Sequence, residues 1–171
     1  MEKVQTFAVR EYRITDFPDL CRLVAEFFTV HQRLAGHGPM PVDEAALVIQ
    51  DDMQGPDSHI LVAETTDTNE IVGFSRYERH QGAFFGREMC VTETKRLRGV
   101  GTALLRAVEK RIREAGETNL FISVVARNAQ ALQFFAKRGY SILNTVELRT
   151  PFPDERVARK PIDVLGLRLR Y

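Results

Sequence analysis

At 171 residues, with a formal net charge of +1, 27% charged and 44% hydrophobic side chains, the chain is sized for one domain, residues 1–171, with a real core. The near-neutral balance excludes a general nucleic-acid binder, which needs a basic surface. MEKVQTFAVR carries charge from its second residue, unlike a signal peptide, and no run reaches the roughly 18 to 20 apolar residues that span a bilayer, so the sequence predicts a soluble, cytoplasmic protein with no membrane partner.

FAVREYRI suggests a first strand, and Thr15 or Asp16 starts a helix before Pro18, which a first turn tolerates. Leu20, Leu23, Val24, Phe27 and Leu34 follow at helical spacing until GHGPMP, residues 36–41, breaks the pattern. A weaker helix carries Val42, Ala46, Ile49 and Met53 and stops at QGPDS. ILVAE (60–64) and IVGFSRY (71–77) read as an antiparallel hairpin about the turn TTDTN. The loop HQGAFFG then leads to a strand at REMCVT, 87–92.

From Gly99 a helical stripe returns, with Val100, Leu104, Val108 and Ile112 on one face, and Gly116 closes it. LFISVV (120–125) is apolar throughout, as a strand covered on both faces would be. NAQALQFFAKRGY (128–140) is a short helix capped by Asn128 and ended by Gly139. YSILNTVEL and VLGLRLR read as two closing strands, which offer a surface for pairing across a homodimer. TPFPDERVARKPID, 150–163, reads as an exposed loop between them. The order β, α, α, β, β, β, α, β, α, β, β gives a mixed α/β sheet with helices packed on it. Cys21 and Cys90 fall among apolar neighbours and read as buried free thiols.

KRLRGVGT, 95–102, joins a strand to a helix through Gly99 and Gly101. A helix N-terminus exposes unpaired N–H groups and the positive end of the macrodipole, so this is a ready anion site. Two common nucleotide loops do not fit: GxGxxG would need glycine where Leu104 stands, and GxxxxGK[ST] is absent, which disfavours a nucleotide-binding regulator.

Arg96, Gly99 and Gly101 resemble the RxxGxG pyrophosphate loop of the GNAT-type N-acetyltransferases. MCV before the loop resembles that family's fourth strand, NAQALQFF its NxxAxxFY segment, and Gly139-Tyr140 its GF. The element order is similar as well, so the likeness covers nearly the whole chain and is strongest over 87–140. The resemblance implies a mostly antiparallel sheet of about seven strands with helices on both faces. It also implies an acetyl-CoA site between two splayed central strands, here 87–92 and 120–125.

Backbone groups at Cys90 and Val91 would then face the pantetheine arm and thioester. The N–H groups of Leu97, Arg98, Gly99, Val100, Gly101 and Thr102, beside Arg96, would hold the pyrophosphate. Asn128, Ala131, Phe134 and Phe135 would line the cofactor arm. Donors aimed at a thioester oxygen stabilise the charge it gains as an amine attacks, so the implied reaction is direct acetyl transfer to an amine-bearing acceptor.

One residue departs from the family pattern. The second aromatic of the FY pair is commonly a tyrosine, proposed to protonate the leaving thiolate, and here it is Phe135. Tyr140 is no substitute, because five residues along a helix turn it about 140° away. A thiol titrates near 8.5, so its thiolate leaves readily near neutral pH, whereas an alkyl amine of pKa about 10.4 is neutral in only about one molecule in 2,500 at pH 7. Deprotonating the acceptor is the harder task, and Glu88, on the site strand three residues before Val91, is the candidate for attracting the amine or taking its proton, as family members often have an acid there.

Glu93 sits in the following loop and is a weaker candidate. His31, His37, His59 and His80 show no metal-ligand spacing and read as surface or loop residues; no metal site is expected. His37 lies in a loop that borders the acceptor site in the family. The absent tyrosine supports a second reading, a non-catalytic acyl-CoA-binding or interaction module on the same fold. Acceptor choice is assigned to the 31–42 and 150–163 loops.

Overall fold

A computed structural model describes residues 6–150, 160–164 and 166–170. The elements are β1 (Phe7–Glu11), α1 (Phe17–Leu34), α2 (Val42–Asp52), β2 (Ser58–Thr65), β3 (Ile71–His80), β4 (Ala83–Val91), α3 (Val100–Glu114), β5 (Leu120–Ile122), α4 (Ala129–Ala136), β6 (Pro161–Val164) and β7 (Leu167–Arg170). β1 to β5 form one sheet in chain order, antiparallel except for the parallel pair β4–β5.

Strand alternation sorts the core into two layers. Ile60 and Val62 of β2 turn to one face, where Leu20, Leu23 and Val24 of α1 and Ala45 and Ile49 of α2 cover them. Leu61 and Ala63 turn to the other, under Val100, Leu104, Val108 and Ile112 of α3. Helices therefore lie on both faces, as expected, and the helical stripe of α3 is the stripe that is buried.

Several boundaries differ from expectation. β4 begins at Ala83 rather than Arg87, because Gln81 (φ 49°) and Gly82 (φ 82°) close a two-residue hairpin turn and no loop is needed. β5 has only three paired residues, all half-buried, since no strand lies along its outer edge among the described residues. Among the described residues the main sheet has five strands, not seven. Residues 141–150 form no strand, and Ile142 and Leu143 are 92% and 71% exposed, because no neighbouring strand among the described residues offers them a ladder.

The last expected strand, VLGLRLR, instead spans a turn at Gly166 (φ 79°), so β6 and β7 make a separate antiparallel hairpin. β6 starts at Pro161, inside the expected loop, while residues 151–159 of that loop lie outside the described residues. No helix among the described residues is long and apolar enough to cross a membrane.

Candidate functional site

β4 and β5 pair only over Phe84–Leu120, Phe85–Phe121 and Gly86–Ile122, and then part. The parting opens a cleft of about 250 Å³ lined by β4, β5, the start of α3, one side of α4 and the last turns of α1. β4 also carries a bulge: Ser75 faces Met89 and Tyr77 faces Gly86, so two steps on β3 match three on β4, and Arg87 and Glu88 stand opposite Arg76. A bulge re-aims side chains beside a site.

Backbone direction follows from one bond. Thr92 donates its N–H to the Val72 carbonyl at 2.9 Å, so Val72–Thr92 and Phe74–Cys90 are the hydrogen-bonded pairs of this ladder. Met89 and Val91, in the alternate positions, turn their backbone groups toward the parted β5 edge. The Val91 carbonyl accepts from Arg96 Nε at 2.9 Å, which leaves the Val91 N–H facing the cleft. The Cys90 backbone turns to β3 instead, so of the two expected backbone contributors only Val91 points the expected way, joined by Met89.

The Cys90 thiol lines the cleft but is 7% exposed, and burial, with Glu26 adding to it, pushes its pKa up to about 12. It stays a thiol at neutral pH and offers no nucleophile.

Between β4 and α3, Leu97 (φ 62°) and Gly99 (φ 86°) both adopt left-handed backbone. For leucine this costs about 1–2 kcal/mol, and the Leu97 side chain, fully exposed, gains no packing in return. The turn brings the open N–H groups of the first turn of α3 beside the cleft. Gly101 is required for a different reason: a Cβ there would lie 3.3 Å from the Phe134 ring and 3.7 Å from Val91 Cγ2. Its bare backbone lets α4 close on α3.

Arg96 is held by Glu26 of α1 at 3.3 Å as well as by the Val91 carbonyl. Thr102 accepts from Arg138, whose guanidinium lies 3.7 Å over the Phe134 ring. Arg138 gave no sequence signal, since a Lys137-Arg138 pair just before the Gly139 stop is indistinguishable from a solvated one. Arg98, Gly99, Val100 and Thr102 do not line the cleft; Arg98 and Gly99 are exposed, Thr102 is half-buried, and Val100, the first residue of α3, is buried against the sheet.

Asn128 caps α4 by accepting the Ala131 N–H at 3.1 Å, which leaves its amide N–H groups available in the cleft. Ala131, Phe134 and Phe135 line the same wall. Tyr140 packs edge-on against Phe135 and does not line the cleft.

Glu88 lines the cleft, with both carboxylate oxygens taken by Arg76: Nε to Oε2 at 2.5 Å and Nη2 to Oε1 at 3.1 Å. Arg76, 6% exposed, also pairs with Glu78, which pairs in turn with Arg87. Glu93 lies in the turn after β4, where its N–H donates to Glu26. His37 is exposed and does not line the cleft, whereas His31 of α1 does.

Comparison with known proteins agrees with this geometry. Residues 56–142 match the acetyltransferase (GNAT) domain family. An uncharacterized N-acetyltransferase of Bacillus subtilis (strain 168), YjcF, is 28% identical over 97 residues, which span 57% of this chain and 65% of that protein. The chain thus matches slightly less than two thirds of the length of this relative.

The aminoglycoside N-acetyltransferase AAC(6')-Iy, solved in complex with CoA, superposes with a TM-score of 0.69 at 14% identity over 88% of this chain and 98% of that one. A mutant of the BH1408 protein from Bacillus halodurans gives a TM-score of 0.70 at 20% identity over 84% and 99%. These likenesses concern the fold. With the parted central strands, the glycine loop at the start of α3 and a family match over half the sequence, the chain belongs to the GNAT acetyltransferase domain family.

Proposed function

We propose that the chain, as a single cytoplasmic domain, is an N-acetyltransferase that moves the acetyl group of acetyl-CoA directly to a primary amine. The observation that carries this reading is the parting of β4 from β5 after Gly86 and Ile122, which leaves the Val91 N–H facing a cleft that continues to the open N–H groups of α3. The residues suit the co-substrate. Left-handed Leu97 and Gly99 form a concave run of donors for a pyrophosphate, and bare Gly101 allows close approach. The Asn128 amide and the apolar wall of Ala131, Phe134 and Phe135 suit a pantetheine-like arm, polar and apolar by turns.

Bound there, acetyl-CoA supplies a thioester, whose carbonyl oxygen gains charge as nitrogen attacks. The Val91 N–H is the donor we assign to that charge. Glu88, fixed by Arg76, places a negative charge on the cleft wall and attracts the acceptor as its ammonium form. Protonated Cys90 argues against an acyl-enzyme on that sulfur and for direct transfer. The CoA-bound aminoglycoside acetyltransferase of similar fold lends support to both the co-substrate and the amine.

Two observations favour the second reading, a binding module without chemistry. Phe135 lacks a proton to give, and Glu88 is engaged at both oxygens. Thiol release from acetyl-CoA across a panel of amines, amino acids and peptides separates the two. Turnover of any acceptor supports the transferase, whereas acetyl-CoA binding without turnover on the whole panel moves the assignment to the module.

A further inference from the structure

The path of α1 across the sheet puts one side chain over the gap between β4 and β5. Arg22 donates to the Ile71 carbonyl at the start of β3 at 2.8 Å. One turn on, Glu26 accepts the Glu93 N–H just past β4 at 2.9 Å. At the helix end, the Leu34 carbonyl accepts from Arg127, beyond β5, at 2.9 Å. The helix is therefore anchored three times along its length, at the start of β3, just past β4 and beyond β5. His31 falls between the last two anchors, about 7.5 Å along the axis from Glu26 at 1.5 Å per residue. It lines the cleft there with Phe27 and Val30.

Its ring has a defined protonation pattern. Nδ1 lies 2.9 Å from the Phe27 carbonyl oxygen, which only accepts, so Nδ1 carries the hydrogen and the neutral ring presents its lone pair at Nε2. The Phe27 ring, 4.3 Å away between centroids, holds the imidazole in place.

The other titratable side chains lining the cleft are all engaged. Arg87 pairs with Glu78, Glu88 with Arg76, Lys95 with Glu70 and Arg96 with Glu26, while Cys90 is a buried thiol. Among the described residues, Nε2 of His31 has no protein partner.

Resting on the proposed transfer reading, we infer that His31 is the general base of the reaction, taking a proton at Nε2 from the ammonium acceptor held near Glu88. The steps balance. One ammonium proton passes to Nε2 and then to solvent. As the C–N bond forms and the C–S bond breaks, nitrogen sheds a second proton, which reaches the thiolate sulfur through water. The third stays on the amide, so the net products are the amide, CoA thiol and one released proton. The base supplies the step that limits an alkyl amine at neutral pH, and the lost Phe135 hydroxyl is the lesser need.

The test uses the best acceptor of the amine panel. His31→Ala should lower kcat/KM at pH 7 on the order of 10²-fold, leave the acetyl-CoA Kd within about threefold, and give a rate that climbs with pH as the amine deprotonates unaided. Added imidazole should restore part of the loss, and His31→Gln should match the alanine variant without rescue. Activity within threefold of the native chain in both variants overturns this role while leaving the transferase reading intact. Absence of turnover by the native chain overturns both. Independently of activity, ¹⁵N NMR of the native protein with its imidazoles neutral should show Nδ1 of His31 protonated and Nε2 bare; the opposite tautomer overturns the assignment.

Discussion

The Tyr140 ring stands edge-on to Phe135, 5.7 Å between centroids, while its hydroxyl donates to Glu109 Oε1 of α3 at 2.8 Å. Burial, and then Glu109, hold this phenol well above its ordinary pKa. Tyr140 is thus a tie between α3 and α4, and among the described residues no tyrosine lines the cleft. Phe135→Tyr puts a hydroxyl on the cleft wall. Its expected effect is a rise in kcat confined to pH below about 8, no more than about tenfold, since thiolate with a conjugate acid near 8.5 needs little help. A pH–rate profile checks it. Tyr140→Phe should leave that profile unchanged and cost about 1 kcal/mol in urea unfolding.

Gly99 and Gly101 fail for different reasons, and the measurements should separate them. A Cβ at Gly99 meets nothing within 4 Å, but φ of 86° is a left-handed conformation costing an L-residue about 1–2 kcal/mol. Gly99→Ala should weaken acetyl-CoA binding about 5- to 30-fold in calorimetry, as the loop relaxes out of its donor geometry. Gly101→Ala instead pushes on the Phe134 ring and through it on α4. It should weaken binding and lower Tm in the free protein as well.

The loop, the helix pair and the two-faced sheet were legible because each has a local signal: glycines at a helix start, a 3.6-residue stripe on α3, alternation in β2. What was not legible depends on pairing at a distance. Alternating apolar residues at 142–148 read as a strand, yet among the described residues no ladder partner lies beside them. Gln81 takes the left-handed position that asparagine or glycine usually fills, so the hairpin after β3 read as a longer loop. His31 was set aside because histidine spacing reports metals, whereas its place is fixed by three anchors of α1, on Ile71 of β3, Glu93 past β4 and Arg127 past β5. Arg76 carried no signal at all, as its partner is twelve residues away across a bulge.

Arg76 and Glu88 should respond unequally to substitution. Arg76→Met leaves Glu88 and Glu78 without their shared cation in a half-buried setting, and removing one member of a buried pair typically costs about 3–5 kcal/mol. A large drop in the urea midpoint is expected. Glu88→Gln keeps shape and one acceptor oxygen, so the fold should survive with a smaller loss. If Glu88 attracts the ammonium, KM for the amine should rise about tenfold with the acetyl-CoA Kd unchanged. An unaltered KM would leave Glu88 a purely structural partner of Arg76.

Acid sensitivity should centre on β1. Asp16, 6% exposed, accepts two hydrogen bonds from Arg10, at 2.7 and 2.9 Å, and one from the Arg13 N–H at 2.8 Å. The Arg10 hydrogen bonds, against the opposing effect of burial, hold its carboxyl below the ordinary range, and Arg10 does the same to Glu64 on β2. A carboxyl whose folded pKa is depressed contributes stability above its unfolded value, near 3.9, and that contribution fades as pH falls through the folded value. The urea midpoint of the native chain should therefore be flat with respect to these groups near neutrality and fall below about pH 4. Asp16→Asn should lower the unfolding free energy at pH 7 by about 2–3 kcal/mol and flatten the acid limb. A variant that keeps the full acid dependence would place its source in the other ion pairs, the Arg76–Glu78–Arg87 chain first among them.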